Sequence, residues 1–171
     1  MSLAEHVIVM HQGQIMQEGS PAEIYARPAT KFVAEFVGRS NWFLGQFGGE
    51  LGNGTLEFTS DDGTTLRLAR PPAGIVGKVE VCVRPERIVL NCDGNNTAVT
   101  GRSDVNVLEG RIVSTALLGA FLHYVVQLSN GHRILLIDKN TGEPPKPEGK
   151  SVSIHFAAAD CIVVPAESRS V

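Results

Sequence analysis

Arg84-Pro85-Glu86-Arg87 is the densest knot of chemistry in this chain: three charges beside a ring that fixes φ and removes a backbone donor. It closes the alternating run Lys78-Val79-Glu80-Val81-Cys82-Val83, so it stands at the end of a half-buried strand. Two roles fit it. One is a strand-ending turn with solvated charges, and the other is an interface or regulatory surface whose charges meet a partner. Exposed ion pairs contribute only about 0–1 kcal/mol each, so such a surface would set specificity more than affinity. Gly119, in Leu118-Gly119-Ala120, marks a bend or bulge before a strand at Phe121, or a point where a ligand or another backbone comes close.

Other reactive residues carry less. Cys82, Cys92 and Cys161 are odd in number, widely spaced and lack a Cys-x-x-Cys pair, which reads as idle thiols. His6, His11, His123, His132 and His155 show no His-Glu-x-x-His pattern, so no metal ligand or catalytic imidazole is assigned. Gly48-Gly49-Glu50-Leu51-Gly52-Asn53-Gly54-Thr55 has the glycines of a phosphate cradle but no lysine, and it leads into the strand-like Leu56-Glu57-Phe58; it reads as a hairpin loop. The chain is therefore expected to hold no catalytic residue and no cofactor of its own.

The elements that must position these residues are mostly short strands. Val7 to Met10 and a strand from Gln14 flank the turn His11-Gln12-Gly13. Ser20-Pro21-Ala22-Glu23 combines an N-cap hydroxyl, a proline at the first helical position and an acid at the third, which starts a brief helix ending before Pro28. A second helix from Thr30 puts Phe32, Val33, Phe36 and Val37 on one stripe and ends at Gly38 in a left-handed cap. Leu56 and Phe58 pair through the turn Ser60-Asp61-Asp62-Gly63 with Leu66 to Leu68, and Pro71-Pro72-Ala73-Gly74 breaks that hairpin. Asp93 to Thr97 reads as a surface loop. Val105 to Val113, Phe121 to Leu128 and Arg133 to Ile137 follow, the last two joined by Ser129-Asn130-Gly131. Glu143 to Pro147 is an extended connector before Val152 to Phe156 and Ile162 to Val164. Short strands so spaced predict a closed or nearly closed barrel.

Composition agrees. With 18 glycines and 9 prolines in 171 residues, turns dominate over long helices. No apolar run approaches the ~20 residues a membrane helix needs. A net charge of −3 with 6% aromatic residues argues against a nucleic-acid partner, which would want a basic groove with stacking rings.

The run Val9-Met10-His11-Gln12-Gly13-Gln14-Ile15-Met16-Gln17-Glu18-Gly19-Ser20-Pro21-Ala22-Glu23-Ile24-Tyr25-Ala26-Arg27-Pro28, with Phe32 to Gly38 and Asn41, resembles the closing segment of the ATP-binding subunits of ABC importers of the spermidine/putrescine, ferric-iron and maltose type. Glu5-His6 stands where that family usually has Asp-Arg. Val83-Arg84-Pro85-Glu86-Arg87-Ile88 and Leu117-Leu118-Gly119 resemble motifs of the transport-associated OB domain. The resemblance implies a mainly β fold in two parts: residues 1–38 as the end of the ATPase domain, and 39–171 as an OB-like barrel. It implies a non-catalytic accessory, regulatory and dimerisation role, with ATP and magnesium bound elsewhere in a larger parent. The implied partners are a second copy, the ATPase domain and the transporter's membrane subunits, at the cytoplasmic face of the membrane. In that setting the Asn53-Gly54-Thr55 and Asn95-Asn96-Thr97 sequons are coincidental. Within the resemblance, Arg84, Pro85, Glu86, Arg87 and Gly119 are the candidate regulatory residues, and Phe32, Val33, Phe36 and Val37 the candidate packing face. Two other classes stay open, a sensor of small ligands or oxyanions and an OB-type nucleic-acid binder.

Overall fold

The computed structural model describes residues 5–52, 54–69, 75, 77–92 and 104–166. The Pro71 to Gly74 break, the Asp93 to Thr97 loop and both sequon asparagines lie outside the described residues.

The N-terminal unit forms from local signals. Strands β1 (Val7–His11) and β2 (Gln14–Gly19) pair antiparallel through a two-residue turn in which Gln12 and Gly13 both have positive φ, 49° and 79°. Helix α1 (Pro21–Ala26) is capped as expected: Ser20 Oγ accepts from the Glu23 amide at 3.3 Å, and Glu23 Oε2 accepts from the Ser20 amide at 2.9 Å. Helix α2 (Lys31–Val37) starts on Thr30, whose hydroxyl accepts from the Val33 amide. Val9, Ile24 and Val33 form the small core between hairpin and helices, with Phe32 and Val37 at its edge. The left-handed cap expected at Gly38 does not form. Its φ of 170° is extended, and its lack of a side chain serves proximity, because a Cβ there would lie 3.3 Å from Tyr25 Cε2 and 3.4 Å from Arg84 Nη1.

The rest of the described chain is a duplicated β-structure. The first set is β3 (Asn41–Gly52), β4 (Thr55–Ser60), β5 (Thr65–Ala69), β6 (Lys78–Val83), a 3₁₀ turn (Pro85–Arg87) and β7 (Val89–Asn91). The second repeats that order as β8 (Val105–Leu118), β9 (Phe121–Leu128), β10 (Arg133–Lys139), β11 (Ser151–Ala157), a 3₁₀ turn (Ala158–Asp160) and β12 (Cys161–Pro165). Each set builds a five-stranded antiparallel sheet but gives its last strand to the other, in the orders β12-β6-β3-β4-β5 and β10-β9-β8-β11-β7. Phe43, Phe58, Leu66, Val81, Ile112, Tyr124, Ile134 and Ile154 belong to one continuous core that both sheets enclose. The fold is mainly β and OB-like, with a hairpin and two short helices in front.

Two asparagines bind the sheets together. The Asn41 side chain accepts from the Leu135 amide at 2.7 Å and donates to its carbonyl at 2.8 Å, taking the place of a neighbouring strand for β10. Asn106 does the same for Arg67 on β5, at 2.6 and 2.9 Å. Four residues after each comes a glycine, and a Cβ on Gly45 or Gly110 would sit 2.2 Å from the Thr59 carbonyl or 2.7 Å from that of Gln127. The β4–β5 and β9–β10 turns also match: Gly63 and Gly131 have φ of 86° and 87° and occupy equivalent places in the two loops.

One strand departs from its reading. The alternation from Lys78 to Val83 suggests a solvated outer face, yet Glu80 is 8% exposed and Cys82 fully buried. The N-terminal unit covers that face.

Candidate functional site

The four residues of the Arg84 motif part company in space. Arg84 turns away from solvent, at 2% exposure, into the seam where the N-terminal unit meets β6. Its Nη1 donates to the carbonyls of Ala34 (2.9 Å), Gly38 (3.0 Å) and Arg39 (3.2 Å) and to the Ser40 hydroxyl (2.7 Å), while Nη2 reaches the Tyr25 carbonyl at 3.4 Å. The guanidinium also lies 4.4 Å from the centre of the Tyr25 ring, within cation–π range. These acceptors include carbonyls that the end of α2 leaves without helical partners. A solvated charge at this position is thus corrected: carbonyl dipoles and a ring face replace water. Burial draws the Arg84 guanidinium below its ordinary value, with the nearby Cys82 acting the other way.

Pro85 is buried in the 3₁₀ turn. Glu86 accepts a hydrogen bond from the Tyr25 hydroxyl, tying α1 to the same turn. Arg87, 61% exposed, pairs at 3.8 Å with Asp160 in the equivalent turn of the other repeat, a surface contact of small energy. A further contact completes the seam: Lys31 Nζ lies 2.7 Å from Glu80 Oε1 and 5.0 Å from the Trp42 ring centre. Glu80 Oε2 and Arg84 Nε are buried without a hydrogen-bond partner among the described residues, so the seam carries a desolvation penalty.

The expected helical stripe divides. Val33 is buried, Phe32 and Val37 half-buried against the hairpin, and Phe36 points outward at 67% exposure. Beside it a groove of about 490 Å³ opens between Glu35, Phe36, Arg39, Ser40, Trp42 and Leu135. Gly119 lies at the β8–β9 turn with φ 63°, and among the described residues no atom comes within 4 Å of its Cβ direction. Leu117, Leu118 and Phe121 around it are 57, 55 and 47% exposed.

A second polar cluster joins the duplicated turns. Asp62 Oδ2 lies 2.6 Å from His132 Nδ1, and Asn130 donates to the Asp62 carbonyl and the Thr64 hydroxyl at 3.1 and 2.8 Å. Burial alone would raise the Asp62 carboxyl, but hydrogen bonds from Ser60 and Thr64, with His132 beside it, outweigh that and bring it down to about 2. Burial lowers His155 and raises the Cys82 and Cys161 thiols, which disfavours their charged forms. Among the described residues no group of three His, Cys, Asp or Glu side chains could hold a metal, and no helix is long and apolar enough to cross a membrane.

Sequence reasoning missed Tyr25, Lys31, Trp42 and Glu80 as seam residues, and Asn41 and Asn106 as sheet closers. For the asparagines a signal existed: Asn-x-x-x-Gly occurs at 41–45 and again at 106–110, each opening a long strand.

The architecture is a duplicated OB-like β-structure joined to a capped hairpin-and-helix unit. Residues 81–164 match the TOBE domain family, and the chain as a whole is similar to part of several import ATP-binding proteins. It is 37% identical to the spermidine/putrescine import ATP-binding protein PotA of Nostoc sp. over 96% of this chain and 42% of the relative. Identity is 29% to the Fe(3+) ions import ATP-binding protein FbpC of Fusobacterium nucleatum, over 89% of this chain and 37% of that protein. The chain thus spans less than half the length of these curated relatives. Among solved structures, the cytoplasmic molybdate-binding protein ModG with molybdate bound shares the fold, with a TM-score of 0.58, 18% identity, and coverage of 74% of this chain and 96% of that one.

Proposed function

We propose that this chain is the non-catalytic accessory region of an importer ATPase subunit for a polyamine-like solute, regulating and helping to dimerise an ATP- and magnesium-binding domain that works with membrane subunits at the cytoplasmic face. One observation carries the reading. The N-terminal hairpin faces two ways: its inner side is fixed to the helices and, through them, to the barrel, while Ile8, Met10 and Ile15 on its outer side are 51, 57 and 58% exposed. An apolar sheet face of that kind calls for a partner surface, and an ATPase domain would supply it.

The test pairs this chain with the ATP-binding domain of the Nostoc relative, truncated where the matching segment begins. Stable association and an altered rate of ATP hydrolysis are expected, both lost in Met10→Glu/Ile15→Glu. Absence of association, or ATP turnover by this chain alone, would overturn the reading. The homodimer would draw on Phe36 and the Leu117-Leu118-Phe121 tip, whose hairpin has no Asp, Glu, Lys or Arg between Arg111 and Arg133 and so meets its own copy without like-charge repulsion. Sedimentation across micromolar concentrations tests this, and a monomer throughout would count against it.

The groove beside Phe36 and Trp42 favours a second reading, a small-ligand or oxyanion sensor on the fold shared with molybdate-binding ModG. Saturable thermal stabilisation by a polyamine or an oxyanion would support it. Nucleic-acid binding has no comparable feature in its favour, and the net charge of −3 opposes it.

A further inference from the structure

The passage from α2 to β3, Gly38-Arg39-Ser40, is where a flexible joint between the N-terminal unit and the barrel would be expected, since it is short, polar and begins with glycine. The contacts there oppose that expectation. A single side chain 44 to 50 residues downstream, Arg84, holds acceptors on every residue of the passage and on Ala34 in α2. We propose that Arg84 is a latch that makes the N-terminal unit and the barrel one rigid body, so that Gly38 to Ser40 does not act as a hinge and any displacement of the hairpin's outer face carries the whole barrel with it.

One nitrogen with two hydrogens serves four acceptors at 2.7–3.2 Å, an arrangement that holds only while all four converge, so rotating the passage would break several charge-assisted bonds together. The planar guanidinium suits this convergence, and the Tyr25 ring 4.4 Å away limits its tilt. Gly38 provides the room, since a side chain there would press on both Tyr25 and Arg84. Two further contacts flank the latch, Lys31 with Glu80 and Tyr25 with Glu86, and three separated points of attachment suppress rotation as well as translation. The delivery of motion from a catalytic domain rests on the function proposed above. The rigidity does not.

The test is solution NMR of the full chain, with residual dipolar couplings fitted separately for residues 5–37 and 41–166. In the unmodified protein one alignment tensor should fit both segments. In Arg84→Lys, which keeps the charge but loses Nη2, its bond to the Tyr25 carbonyl and the planar group over the Tyr25 ring, and in Arg84→Gln, the two tensors should diverge while chemical shifts in the barrel core stay in place. Amide exchange in the last turn of α2 should also accelerate by about tenfold or more, as expected for losing buried hydrogen bonds to a charged group. Arg87→Gln, three residues on and exposed, should keep a single tensor. Two tensors in the unmodified protein, or a single tensor surviving in Arg84→Lys, would overturn the latch. Should Arg84→Gln fail to fold, Arg84→Lys and the unmodified protein still decide it. Failure of this chain to associate with an ATPase domain would sink the proposed function and leave the latch standing.

Discussion

Individual side chains make polar bridges between the halves of the barrel, and two of them can be probed separately. Asn106 satisfies both the amide and the carbonyl of Arg67 on β5. Asn106→Ala removes the hydrogen bond to the Arg67 amide and leaves its carbonyl only the longer contact from Cys161 Sγ at 3.8 Å among the bonds described, and it should cost roughly 2 kcal/mol or more in urea unfolding. Asn106→Asp turns the donor into a carboxylate oxygen facing the Arg67 carbonyl in a buried site and should cost at least as much. Asp62, held by hydrogen bonds from Ser60 and Thr64 with His132 beside it, predicts a pH dependence. Asp62 has a folded-state value of about 2 against an ordinary 3.8, so it binds its proton more readily when unfolded. Its contribution to stability is therefore present above 3.8 and disappears as pH falls towards about 2. Asp62→Asn should flatten that acid limb of the stability curve. An unaltered acid limb would mean that other carboxylates set it.

Elements show how far sequence reading reached. The hairpin, both helices and most strand positions were legible because their signals are local: a proline and acid in register with Ser20, Thr30 before an apolar stripe, glycines at turns needing positive φ. The outer face of β6 was not legible, because alternation of Val with Glu80 and Cys82 has the same pattern whether water or a helical unit covers it. Arg84 was misread for the same reason: a charge is taken as solvated unless the acceptors that bury it are visible, and these come from residues 44 to 59 positions earlier. Glycines separate along the same line. Gly119 supplies a left-handed turn in open space, so Gly119→Ala should cost about 1–2 kcal/mol. Gly45 supplies contact between strands, so Gly45→Ala, which puts a Cβ 2.2 Å from the Thr59 carbonyl, should cost about 3 kcal/mol or more. Thermal unfolding of the two variants checks this order, and equal losses would contradict the close approach of β3 to β4.

Across the whole molecule, the exchange of terminal strands governs how the fold comes apart. Long-range pairing leaves no local mark in a sequence, so the duplication shows there only as Asn-x-x-x-Gly twice and as matched turn glycines. In three dimensions it makes the halves inseparable. β7 of the first half pairs with β11 through Asn91, Leu90 and Val89, while β12 of the second pairs with β6 along five residues. Asn41 and Asn106 cross in opposite directions, and the core is continuous between the sheets. A protease site placed in the connection between Cys92 and Asp104 should therefore yield two fragments that stay together after cleavage, elute at the position of the uncut chain and melt in a single transition. Each fragment made alone would lack a strand of its own sheet and expose an apolar edge, so it should aggregate or remain unfolded until its complement is added. If the cleaved fragments separated without denaturant, the strand exchange would not be what holds the two halves together, and the barrel would behave as two independent units joined by a tether.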